Sequence, residues 1–206
     1  MPYPHSRAET IADGAVHVAG LLFAVPFSVL LIRQAALSPV GVTAPLVYVV
    51  CMIAAFAASA LYHLSPVSRT RPLLRRIDHA TIYLKIAGTY TPLVAIIGTG
   101  FAYTVLGVVW ALAVFGVMSK LWLGRMDGRG SLALYLGMGW LSLLLIWPLW
   151  QALGGRGVAL ILAGGSIYSA GTLIYSHPGM RFQNALWHGV VLLASVSFFA
   201  AIWGSL

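Results

Sequence analysis

Apolar residues fall in seven long blocks, at roughly 14–33, 43–63, 78–97, 101–121, 131–150, 157–175 and 184–204, with glycine and proline punctuating the gaps. Each block is close to the roughly 20 residues that a helix needs to cross the hydrocarbon core of a bilayer. The pattern predicts an all-α membrane protein, a single seven-transmembrane helix bundle over residues 1–206 with almost nothing left for a soluble domain. Trp122, Trp140, Trp150, Trp187 and Trp203 fall near the predicted span ends, where amphipathic rings favour the membrane interface.

Composition strengthens this reading. The chain is 60% hydrophobic and 8% charged, whereas soluble domains are about 25% charged. The mean hydropathy is +0.92, and a water-soluble surface cannot be built from such residues. The first apolar block is long and follows Glu9 and Asp13, so the N-terminus is expected to be retained rather than cleaved as a signal peptide. The single cysteine, Cys51, lies within an apolar block and reads as packing.

The formal charge of +8 reports topology rather than a nucleic-acid partner. Arg7, then Arg69, Arg71, Arg75 and Arg76, then Lys120, Arg125 and Arg129, then Arg181 fall on one side of the predicted bundle. Only Arg33 and Arg156 fall on the other. Basic loops stay in the cytoplasm, so the N-terminus is expected inside and the C-terminus outside, as an odd number of spans requires. Membrane lipids are the expected partners, and the cytoplasmic membrane of a bacterium the expected location.

Ionisable groups inside a span are costly and usually face the bundle interior. Glu9, Asp13 and His17 begin the first span, His63 closes the second, Asp78 and His79 open the third, and Asn184 and His188 open the seventh. With alternating direction these groups share one depth, in the cytoplasmic half of the bilayer. Asp13 and His17, Ser59 and His63, and Asn184 and His188 are each spaced i, i+4, which puts each pair on one helix face.

Two histidines and a carboxylate from three helices, with a small polar shell, are the ingredients of a zinc site. Asp78 is then the expected base. The alternative is that each histidine sits at the interface, hydrogen-bonded to a loop. His79 lies about 100° round the helix from Asp78 and is expected in the surrounding shell with Asp13 and His17. His5 and His177 are expected to be solvated. Lys85, two turns beyond Asp78, is expected to snorkel or to pair with a carboxylate, or else to grip an anionic head group. Gly88 to Pro92 is expected to kink the third span or line a cavity.

The run S-A-L-Y-H from Ser59 to His63 and D-H-A-T-I-Y-L-K-I-A-G-T-Y-T-P from Asp78 to Pro92 resemble the signature of the haemolysin III family, the bacterial branch of the progestin and adipoQ receptor superfamily. Glu9 to Gly20 is similar to its first-helix motif and Ala185 to Leu192 to its last. The resemblance implies a seven-helix bundle with zinc in its cytoplasmic half, held by the second-helix histidine and two histidines of the seventh. His63 and His188 match two of these ligands. Asp78 is the acidic partner of the site, with Ser59 beside it. Asn184 stands where the third histidine would be, and a neutral amide is a poorer ligand for zinc than imidazole. Direct ligation by Asp78, His17 reaching in from the first helix, or a water held by Asn184 are the available repairs. A further histidine found later in the family's seventh helix is absent, its neighbourhood reading Ser195-Val196-Ser197-Phe198.

Three functions are compatible with these residues. One is a zinc-dependent intramembrane hydrolase of lipid amides or esters, ceramidase-like, with Asp78 as base and Ser59 assisting the oxyanion. A second is a non-catalytic sensor or membrane-homeostasis protein with a degenerate metal site. The third is the lysis that the family's name describes, for which a protein retained in its own membrane is ill-suited.

Overall fold

The computed structural model describes residues 6–67, 69–123, 128–177 and 179–206, and of Leu123, Gly128 and Arg129 the backbone only. His5, Arg125 and the Arg129 side chain therefore lie outside the described set. The described residues form seven α-helices: α1 (Arg7–Ala35), α2 (Thr43–Leu64), α3 (Arg71–Ile97), α4 (Gly100–Met118), α5 (Gly128–Trp140), α6 (Ile146–Tyr175) and α7 (Gln183–Trp203). A π-helical turn at Ser119–Leu123 extends α4, and a 3₁₀ turn at Leu141–Leu145 joins α5 to α6.

Local chemistry sets the helix starts earlier than hydropathy does. The Ser6 hydroxyl accepts from the Glu9 amide at 3.3 Å, and Glu9 Oε2 accepts from the Ser6 amide at 2.8 Å. This reciprocal capping box satisfies two N-terminal amides, so α1 starts a full turn and more before the apolar block. Pro72 in the first turn of α3 likewise fits the fixed φ of proline, and that helix begins before residue 78.

Among the described residues, six helical stretches are long and apolar enough to cross a membrane, the fifth being the 46-residue run Gly130–Tyr175. That run is not straight. Trp140 and Ser169 are 29 residues apart, about 44 Å along a continuous helix, yet Trp140 Nε1 donates to Ser169 Oγ at 3.1 Å. The chain therefore folds back between them. Gly154, with φ 67° and ψ −178°, is where the backbone leaves helical geometry, in a region essentially restricted to glycine.

Around the bundle α1 packs on α2 and α7, α2 on α3, α3 on α4 and α6 on α7, with α5 against α3, α4 and α6. Close approach comes from small residues. A Cβ on Gly88 would lie 2.7 Å from Cys51 Cβ, and one on Gly116 would lie 2.6 Å from ring atoms of Tyr83. Cys51 is buried in packing, as its setting suggested. The Gly88–Pro92 segment stays within α3, where the Thr89 and Thr91 hydroxyls bond back to the Lys85 and Ala87 carbonyls at 2.8 and 2.9 Å. Thr89 and Tyr90 line the central cavity.

Large apolar side chains such as Leu22, Val50, Phe115, Trp147 and Leu193 point outward over the whole circumference. Such a surface is stable in hydrocarbon and would be an aggregation liability in water. The protein is an integral membrane protein. Trp122, Trp150 and Trp203 belong to that outer surface, whereas Trp140 and Trp187 line the cavity, Trp187 packing on Tyr175 with ring centroids 5.2 Å apart.

Candidate metal centre

Four helix ends deliver the polar cluster. Asp13 and His17 come from α1, Ser59 and His63 from the end of α2, Asp78 from the start of α3, and Asn184 and His188 from the start of α7. Glu9 ties the beginning of α1 to the turn before α7, its Oε1 accepting from the Phe182 amide at 3.0 Å. Phe182 holds a left-handed conformation, φ 58°, and this bond fixes the direction in which α7 sets out.

Asp13, His63 and His188 each offer one donor atom, and the three atoms lie within 4.8 Å of one another. His188 Nδ1 is 2.6 Å from Asp13 Oδ1, and His63 Nδ1 is 3.4 Å from Asp13 Oδ2. On its other edge His63 presents Nε2 to Asp78 Oδ2 at 4.0 Å. The rings of His17, His63 and His188 pack together, with His188 centroids 4.4 Å from each of the other two.

The hydrogen bonds constrain the protons. His17 Nδ1 lies 2.8 Å from the Asp13 carbonyl, which only an N–H satisfies, so a neutral His17 leaves Nε2 to accept from Ser59 Oγ at 3.1 Å. Ser59 Oγ also lies 3.3 Å from His188 Nε2 and hydrogen-bonds the Asp78 carboxyl, so three partners compete for its single proton. His188 Nδ1 and Asp13 Oδ1 share a further proton across their 2.6 Å contact. A divalent ion held by Asp13, His63 and His188 would take the place of that proton, the usual coupling between metal binding and proton release.

Two imidazoles and a carboxylate, all from well-packed helices, fit zinc by donor type and number. His17 has one ring nitrogen held by the Asp13 backbone carbonyl and the other turned to Ser59 rather than into the donor group. Asn184 Nδ2 is 3.5 Å from His63 Nδ1, so the amide flanks the group that its histidine counterpart would join. Of the three repairs considered from sequence, neither Asp78 nor His17 belongs to the close donor group. Asp13, expected in the surrounding shell, does. Its signal was present as the residue one turn before His17 on the same face.

Ser59 lies between two imidazoles, a position suited to orienting them. His79 stands apart, its side chain on the cavity wall and its carbonyl accepting from the Tyr135 hydroxyl at 2.8 Å. His177 is exposed and bonded locally to the Leu173 carbonyl at 2.6 Å, as its polar setting suggested. Lys85 does not snorkel, and among the described residues it pairs with no carboxylate. Its ammonium is buried and donates to Tyr168 and Ser195 at 2.9 and 2.7 Å, because both hydroxyls face it across the bundle.

His63, Asp78 and His188 line a cavity of about 920 Å³ that continues past Lys85 to Leu93, Leu145 and Leu149. Fold and site together define a polytopic helical membrane protein with a buried His/Asp cluster opening onto an internal cavity. Residues 6–199 match the family model described as "Haemolysin-III related". The chain is 35% identical over 197 residues to the "Hemolysin-3 homolog" of Bacillus subtilis (strain 168), covering 94% of this chain and 92% of that one. It is also 35% identical to "Hemolysin-3" of Bacillus cereus, covering 90% of that protein. The chain belongs to the haemolysin III family.

Proposed function

We propose that this protein crosses a bacterial inner membrane seven times with its N-terminus in the cytoplasm, holds zinc on Asp13, His63 and His188, and hydrolyses an amide or ester bond of a membrane lipid. The fold-back at Gly154 supports seven crossings, since it divides the 46-residue run into two arms of span length. The basic residues of the connections support the orientation.

The observation that carries the hydrolase reading is the siting of the donor group, beside a large cavity with a polar end and an apolar end. Zinc bound there supplies Lewis-acid polarisation of a carbonyl and makes water nucleophilic near neutral pH. Asp78 faces the cavity beside His63 and takes the proton of the attacking water. Ser59 and His17 hold the imidazole planes. The apolar wall receives the acyl chain and excludes bulk water from the reacting end.

A second reading, a non-catalytic sensor, is favoured by one feature: the His17, Ser59, His188 and Asp13 contacts satisfy one another without a ligand. Lysis, the activity in the two Bacillus relatives' names, fits a chain composed almost wholly of membrane helix least well.

The two main readings separate on zinc-loaded protein in vesicles containing a fluorescent lipid amide and its ester. The hydrolase reading expects turnover that falls about 100-fold or more in Asp78→Asn with zinc retained. Zinc without turnover of either lipid contradicts it and favours the sensor.

A further inference from the structure

Lys85 is the only buried lysine or arginine among the described residues. It lies two turns along α3 from Asp78, about 10 Å at the helical rise. Its ammonium sits over the Phe56 ring, 4.5 Å from the centroid, and 5.6 Å from that of Tyr168. Rings and hydroxyls stabilise a cation without neutralising it. The ion pairs among the described residues all belong to the histidine cluster, and none reaches Lys85. An intramembrane charge without a counter-ion is expensive and marks a site of use.

The donors can be counted. Ser195 gives its proton to the Val191 carbonyl at 2.6 Å and so only accepts from Lys85. Tyr168 also accepts from Lys85, and its own O–H goes to no described residue. One ammonium N–H and one phenol O–H therefore remain, on adjacent groups that line the same cavity. Two donors with one positive charge match the two oxygens of one carboxylate. Beyond them Leu93, Leu145, Leu149 and Ile161 give the wall an apolar stretch, beside Thr89 and Tyr90 whose hydroxyls are bonded to backbone carbonyls.

We propose that Lys85 and the Tyr168 hydroxyl form a subsite for the head group of a single-chain carboxylate amphiphile, with its chain laid along the apolar end of the cavity. The subsite lies two helical turns from the Asp13–His63–His188 group and does not depend on metal there. A carboxylate held on Lys85 occupies the acyl end of the cavity and leaves the histidine end open.

The test is a titration of the full chain in non-ionic detergent with hexadecanoate, hexadecanol and acetate, followed by tryptophan fluorescence. Trp187 lies on the cavity wall with its ring centroid 6.5 Å from that of Tyr168, so it reports occupancy. Hexadecanoate is expected to bind about tenfold or more tighter than hexadecanol, as a charge-assisted hydrogen bond implies, while acetate does not saturate. Lys85→Met removes this preference, Lys85→Arg keeps it, and His63→Ala leaves it unchanged. Tyr168→Phe keeps the ring and weakens the preference several-fold, which preserves the test if Lys85→Met does not fold. Equal binding of acid and alcohol, a preference that survives Lys85→Met and Tyr168→Phe, or one that disappears in His63→Ala overturns the proposal.

Discussion

The beginning and the middle of α3 are held by different forces. At its beginning, Asp78 belongs to a set of short polar contacts between four helix ends, in which histidines and carboxylates satisfy one another. From Tyr83 to Gly88 the helix is held by close approach, with α2 against Gly88 and α4's Gly116 against the Tyr83 ring. Hydrocarbon supplies no hydrophobic force between helices, so small residues that allow tight packing carry assembly there. The polar end can lose a hydrogen bond to a bound ion, whereas the packed middle cannot gain an atom.

The largest expected effect comes from crowding the packed middle. Gly116→Val puts a branched side chain where a single Cβ already lies 2.6 Å from Tyr83, at a cost on the order of 3 kcal/mol or loss of folding. Thermal unfolding in detergent, followed by circular dichroism, checks it. At the polar end His63→Ala is expected to lower the melting temperature less than Gly116→Val does, while reducing zinc affinity. The reduction should exceed the roughly 10- to 100-fold typical of outer-shell partners, read by competition with a chelating dye.

Smaller effects sharpen the contrast. Asn184→His brings an imidazole beside His63, where the amide nitrogen now stands 3.5 Å from Nδ1, and should raise zinc affinity about tenfold in the same assay. The smallest effect is that of Trp140→Phe, which removes the bond to Ser169 across the Gly154 fold-back. It should lower stability by about 0.5–1.5 kcal/mol and leave metal binding untouched.

Much of this architecture was legible in the chain because lipid imposes a simple rule of one long apolar block for each helix. The blocks located α1 to α4 and α7 but not all of their starts, and the fifth block, 131–150, runs across α5, the 3₁₀ turn and the beginning of α6. The S-x-x-E capping box at Ser6–Glu9 extends α1 through residues that hydropathy scores as polar. The common depth of His63, Asp78 and His188 followed from alternating helix direction.

Which carboxylate would close the donor group did not follow, since spacing along α1 places Asp13 and His17 on one face without saying which of them reaches His188. Lys85 was equally undetermined. Its acceptors are Tyr168 and Ser195, 83 and 110 residues away, and no local pattern links them. That the Trp187 ring turns to the cavity did not follow either, because position along a helix does not reveal which way a ring turns.

The most direct measurement is zinc content by plasma mass spectrometry on detergent-purified protein, comparing wild type with Asp13→Asn and Asp78→Asn. The predicted result is about one zinc per chain in the wild type and in Asp78→Asn, from three protein ligands, and loss of zinc in Asp13→Asn. Zinc that survives Asp13→Asn but is lost in Asp78→Asn, or no zinc in the wild type, contradicts the assignment of Asp13 as the third ligand.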